Sequence, residues 1–131
     1  MPFDFQSDIA FAEDQKRTNY HAGLSAEQAV ARRYCDGGAV LLETRWRGPC
    51  GEIDLILSEG DSVVFVEVKK SRTHAQALQR LTPRQMGRIL HSAEDYLGRC
   101  PTGSLTDSRL DVALVDAQGV IEILPNASMM H

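Results

Sequence analysis

The sequence predicts a single α/β domain, and three observations predict it. Two runs of alternating apolar residues, Glu52 to Ser58 and Ser62 to Lys70, flank Glu59-Gly60-Asp61, which is the pattern of a β-hairpin. Helical periodicity runs from about residue 19 to 33 and again after Thr82-Pro83-Arg84-Gln85. A second pair of short strands, Leu110 to Val115 and Val120 to Leu124, closes around Asp116-Ala117-Gln118-Gly119. The order is therefore helix, three strands, helix, two strands: a mixed α/β sandwich around a largely antiparallel meander. A length of 131 residues suits one such core.

Residues 1–18 show no clean period and read as a flexible N-terminal arm ahead of a domain spanning 19–131. The arm's Phe3, Phe5, Ile9 and Phe11 suit docking on a partner subunit, which makes a homodimer the expected oligomer if one forms. In the first helix, Tyr20, Leu24, Ala31 and Tyr34 make one stripe with Glu27 in its middle, and a carboxylate on a buried face needs a partner. That partner is either a metal cluster or a structural arginine. Asp36-Gly37-Gly38 ends the helix, because these residues accept left-handed backbone. Ala39 to Arg45 then reads as a strand, followed by Trp46, an edge-strand cover for the core in preference to a nucleic-acid stacking residue. Ser71 to Leu81 is polar, lacks clear periodicity and reads as a mobile loop. The next helix has Thr82 as N-cap and Pro83 at its first position, with Gln85 at the capping-box position. Met86, Ile89, Leu90, Ala93 and Leu97 form its buried stripe.

The central hairpin carries the chemistry. With Gly60 first in a two-residue turn, constant register places Asp54 across from Glu67 and Glu52 across from Lys69. Ile53, Leu55, Leu57, Val64, Val66 and Val68 form a wholly apolar face. The opposite face is apolar near the turn and charged at its open end, where Glu52, Asp54, Glu67 and Lys69 gather. Two carboxylates about 5 Å apart repel by about 3 kcal/mol at an effective dielectric near 20. Lys69, a raised carboxylate pKa or a divalent cation with oxygen ligands would offset that repulsion. A salt-bridged sheet face and a metal site both satisfy the pattern.

Composition narrows the classes. Charged residues make up 24% and hydrophobic residues 43%, which excludes global disorder. No apolar run reaches membrane-spanning length, and the acidic start lacks a leader's basic-then-apolar order, so a cytoplasmic protein with no membrane partner is expected. Cys35, Cys50 and Cys100 have neither disulfide nor zinc spacing, and His21, His74, His91 and His131 are scattered. The net charge of −4 hides a split: residues 69–99 are net +5 and the remainder −9. A basic side on an acidic body fits a polyanion contacted at one surface.

An acid on one strand followed by Glu-x-Lys on the next, here Asp54 and then Glu67-Val68-Lys69, resembles the PD-(D/E)XK nuclease superfamily. The chain from Gly23 to Ser128 further resembles the YraN-like family. The matching pieces include Gly51-Glu52-Ile53-Asp54-Leu55-Ile56, Phe65-Val66-Glu67-Val68-Lys69, Thr82-Pro83, Arg109-Leu110-Asp111-Val112 and Pro125-Asn126-Ala127. The resemblance implies a restriction-endonuclease-like α/β fold, an α-β-β-β-α-β core with an added C-terminal strand, and a central mixed sheet flanked by helices. It also implies that Glu27, Asp54 and Glu67 are the acidic cluster and Lys69 the catalytic lysine.

The activity expected from it is a Mg²⁺- or Mn²⁺-dependent endonuclease that hydrolyses phosphodiester bonds in DNA, branched or repair intermediates among them. Asp54, Glu67 and the Val68 carbonyl would hold the ion, with Glu27 acting directly or through water. Lys70, Arg72, Arg84, Gln85 and Arg88 are candidates to hold the nucleic acid. The alternative is a non-catalytic nucleic-acid-binding or scaffold protein that keeps the fold. Two positions depart from the family's pattern: Gln85, where a lysine is usual, and the Ser71 to Gln76 loop, where a glycine is usual.

Overall fold

The computed structural model describes residues 23–127, so the N-terminal arm and the predicted start of the first helix lie outside the described residues. A helix over 23–36 (α1) leads into strands β1 (Val40–Arg47), β2 (Glu52–Glu59) and β3 (Ser62–Lys70). Helices α2 (His74–Gln79) and α3 (Pro83–Leu97), with a short 3-10 turn at Gly103–Leu105, precede β4 (Ser108–Val115) and β5 (Ile121–Leu124). The five strands form one sheet in the order β1-β2-β3-β4-β5. All neighbours are antiparallel except β3 and β4, which are parallel. The sheet is thus mixed at its centre rather than a simple meander, because parallel neighbours need a crossover and the α2–α3 segment provides it.

Helices cover both faces. Ala26, Val30 and Ala31 of α1 pack on Leu55, Leu57, Val64, Val66, Ala113 and Val115. On the other face, Met86, Ile89 and Ala93 of α3 and Ala77 of α2 pack on Ile56, Val63, Phe65, Leu110, Val112 and Leu114. The alternation of β3 and β4 therefore sorts their side chains between two cores. Three expectations change here. The buried face of α1 is centred on Val30, fully buried, with Ala26, Ala31 and Tyr34 beside it, whereas Glu27, placed at the middle of the expected stripe, is only partly buried. Ile53 joins the α3 core, although alternation assigns it to the Leu55 face; at that point β2 is paired with β1 alone. The segment read as a loop contains α2, capped by Thr73, whose side chain accepts from the Gln76 amide at 3.1 Å. Six residues are too short to show a period, but Thr73-x-x-Gln76 is the capping-box signal.

Trp46 lies edge-on to Tyr96 at 5.3 Å, with the Arg99 guanidinium 5.4 Å above its ring, and so covers the core from the edge strand. The adjoining turn is pressed onto α3. The Ser92 hydroxyl donates to the Gly51 carbonyl at 3.0 Å, and a Cβ at Gly48 would lie 2.7 Å from both Ser92 Oγ and the Trp46 ring. Ser92 is fully buried and the indole is fixed by Tyr96, so neither yields cheaply. Gly48→Ala is expected to lower stability by about 1–3 kcal/mol, read as a reduced urea midpoint at unchanged m-value.

A second polar knot fixes the far part of the sheet. Asp111 is 1% exposed, and its carboxylate accepts from the Tyr34 hydroxyl at 2.7 Å, Arg109 Nε at 3.1 Å and the Asn126 amide at 2.9 Å. Arg109 also donates to Glu59 at 2.8 Å. These bonds tie α1, β2, β4 and the turn after β5 together. Burial, followed by the Asp111 carboxylate, pushes the Tyr34 hydroxyl far above its usual range, so it remains a donor.

Candidate active site

The β2–β3 hairpin has the expected register. Glu59 pairs with Ser62 across Gly60-Asp61, and the ladder continues to Leu55 and Val66. Gly60 takes φ 59°, as the turn requires. Beyond Leu55 the two strands pair with their outer neighbours instead. Ile53 and Glu52 stay with Trp46 and Arg47 of β1, while Glu67 to Lys70 stay with Val112 to Val115 of β4. Asp54 consequently faces Glu67 across a parted ladder, and its Oδ2 accepts from the Val68 amide at 2.8 Å. A side chain here takes the place of a backbone acceptor.

Parting the strands brings acids into the sheet. Glu67 is 5% exposed and Asp54 half-buried, and both line a cavity of about 240 Å³ with Gly51, Glu52, Gln85, Arg88 and Ile89. Lys69 Nζ is 3.2 Å from Glu67 Oε1, and Gln85 Nε2 donates to the same oxygen at 3.5 Å. Glu67 Oε2 is buried without a hydrogen-bond partner among the described residues. Burial raises the Glu67 carboxyl most and the neighbouring Asp54 charge adds to it, so that it reaches about 8 against the opposing pull of Lys69. Asp54 is also raised, mainly by burial, while the Val68 amide draws it back down.

The other predicted residues fall into two groups. Lys70 joins Lys69 and Val68 on a neighbouring cavity of about 440 Å³, which Glu27 and Arg80 also line. Arg72 and Arg84 are exposed, and Arg88 is exposed at the rim of the Asp54–Glu67 cavity. Glu27 is close enough for its charge to raise Asp54, but its carboxylate is bound to Arg45 at 3.0 Å. No group of three His, Cys, Asp or Glu side chains converges among the described residues. The expected Glu52–Lys69 pair is also replaced: Glu52 lies 4.0 Å from Arg47, while Lys69 turns to Glu67. A cross-strand ion pair needs a continuous ladder, and this one has opened.

Sequence reading missed three residues that organise these regions. Arg45, at φ 50° within β1, gave no periodic signal. Ser92 is hidden in the α3 stripe. Asp111 was detectable as an acid inside the apolar run Leu110 to Val115. His74 lies away from the acids, with Nδ1 3.0 Å from Glu122 and Nε2 2.9 Å from the Val120 carbonyl, and links α2 to the last hairpin.

The donor set fits a hard divalent cation. Glu67 Oε2 is a buried oxygen lacking a counterpart, and a second carboxylate shares its cavity, which is the chemistry such ions select. Glu27 does not complete the set while Arg45 holds it.

Comparison with known proteins agrees with the resemblance. The chain is 56% identical over 109 residues to a UPF0102 protein of Cereibacter sphaeroides, covering 83% of this chain and 93% of that protein. It is 52% identical over 111 residues to one of Roseobacter denitrificans, covering 85% and 86%. A Ruegeria pomeroyi relative is 52% identical over 109 residues, covering 83% and 89%. The family model described as "Uncharacterised protein family UPF0102" matches residues 26–115, a span from α1 through β4 that includes every acid of the site. By that match and by these identities, the chain belongs to the UPF0102 family.

Proposed function

We propose that this protein is a divalent-metal-dependent endonuclease that hydrolyses phosphodiester bonds in DNA. The observation that carries the reading is the unpartnered Glu67 Oε2, buried beside Asp54 where the β2–β3 ladder parts, with Lys69 Nζ 3.2 Å from the other Glu67 oxygen. Burying two acids together is unfavourable, and a cation is the economical way to offset it. Asp54, Glu67 and the Val68 carbonyl would hold Mg²⁺ or Mn²⁺. When bound, such an ion neutralises phosphate charge and acidifies the attacking water.

The chain's own groups do the rest. Lys69 is fixed at the edge of the acidic pair, where its ammonium orients a nucleophile or stabilises the pentavalent oxygens. Arg84 and Arg88 on α3, with Lys70 at the end of β3 and Arg72 beyond it, supply positive charge to the phosphate backbone. A second reading draws on a specific observation. Glu27 is satisfied by Arg45, which is the pairing expected of a non-catalytic nucleic-acid-binding protein on the same scaffold.

The two readings separate in one experiment. Branched, duplex and single-stranded DNA are incubated with wild type, Asp54→Asn and Lys69→Met, with and without Mn²⁺. The endonuclease reading expects metal-dependent cleavage that falls at least 100-fold in both variants, a loss of about 3 kcal/mol in transition-state stabilisation. Salt-sensitive binding without cleavage by the wild type would establish the second reading instead.

A further inference from the structure

We infer that Gln85 is a positioning residue for the metal-binding carboxylate of Glu67, an inference that rests on the metal reading above. Gln85 occupies the capping-box position of α3, where a glutamine side chain ordinarily folds back to the N-cap residue's amide. Only half of that box is made. The Gln85 amide donates to Thr82 Oγ1 at 3.1 Å, while the Gln85 side chain leaves the helix and donates to Glu67 Oε1 at 3.5 Å.

The oxygen it chooses matters. Oε1 already receives Lys69 at 3.2 Å, whereas the buried Oε2 has no partner among the described residues. Two donors from two elements, one on β3 and one on α3, therefore define the rotation of a single carboxylate. They keep Oε1 occupied and leave Oε2 for the cavity shared with Asp54. A carboxylate held by one donor alone would pivot about that contact, and the oxygen facing the cavity would lose its fixed position beside Asp54. The first turn of α3 is itself fixed by Thr82 and Pro83, so the amide is delivered from a rigid position.

The test uses the full chain and Mn²⁺ alone, with affinity measured by calorimetry and stability by thermal unfolding of the metal-free protein. Gln85→Met keeps the side chain's length and removes the donor; it is expected to weaken Mn²⁺ binding about tenfold with an unfolding midpoint within about 2 °C of wild type. Gln85→Lys restores a donor to Oε1 and is expected to bind within about threefold of wild type. Wild-type affinity in Gln85→Met, or equal losses in the two variants, would overturn the inference. Asp54→Asn separates this failure from that of the metal reading. Loss of binding in Asp54→Asn with none in Gln85→Met removes only the role of Gln85, whereas absence of Mn²⁺ binding by the wild type removes both.

Discussion

Glu67→Gln is expected to make the metal-free protein more stable at pH 9 and to change it little at pH 5. The sign follows from the Glu67 carboxyl, which burial and the Asp54 charge hold at about 8 in the folded chain, above its ordinary value of 4.5. The folded state therefore binds more protons than the unfolded state between those pH values, and stability falls as pH rises through that window. Below it the protonated acid is already accommodated. Above it the full penalty of a buried charge is present. Glutamine never carries that charge, yet its carbonyl still accepts from Lys69 and its amide can face Asp54. The gain at pH 9 is expected to be on the order of 2–4 kcal/mol, or about 10 °C in midpoint for a domain of this size.

The same substitution should abolish the stabilisation that excess Mn²⁺ gives the wild type at pH 8, about 2.7 kcal/mol at a hundredfold excess over the dissociation constant. A variant that gains stability while losing the ligand is the signature of a functional acid. Equal stability of wild type and Glu67→Gln at pH 9 would show that the acid pair is not under strain.

Asp111→Ala should have the largest destabilising effect of any substitution in the sheet. It removes the acceptor of three donors at once and leaves Arg109 and Tyr34 half-buried beside an apolar core. Arg109 keeps Glu59, so the cost lies in the three charge-assisted hydrogen bonds lost, on the order of 3–5 kcal/mol together, enough to leave a domain of ordinary stability largely unfolded. Asp111→Asn keeps an acceptor for Tyr34 and is expected to retain the fold at a cost of about 1–2 kcal/mol, with Mn²⁺ affinity near that of wild type. Urea unfolding of both variants measures the first claim and calorimetry the second. A loss under 1 kcal/mol for Asp111→Ala would remove this knot from the forces that hold the fold.

The basis for both effects was partly legible. Alternation, the Gly60-Asp61 turn and the Thr82-Pro83 cap located the hairpin and α3, because each depends on interactions a few residues long. The α2 helix was lost for the opposite reason: six residues carry no period, and its cap stands in a polar stretch. Asp111 announced itself only as an acid in an apolar strand, since its three donors come from α1, from the neighbouring Arg109 and from the turn after β5. Gln85 reads as a cap and as a contact for nucleic acid; its backbone amide makes the cap, while its side chain reaches Glu67, which only the packing of α3 on β3 reveals.

What the sequence determined by itself was the five strands, the two longer helices, the hairpin register and the gathering of Asp54, Glu67 and Lys69 at one end, all products of local periodicity and turn geometry. Only the tertiary structure decided that β2 and β3 part at that end, that Lys69 turns to Glu67, and that Glu27 goes to Arg45. Those outcomes depend on competition: each strand of the hairpin also has an outer neighbour, the basic partners come from different strands, and burial decides which pairing costs least.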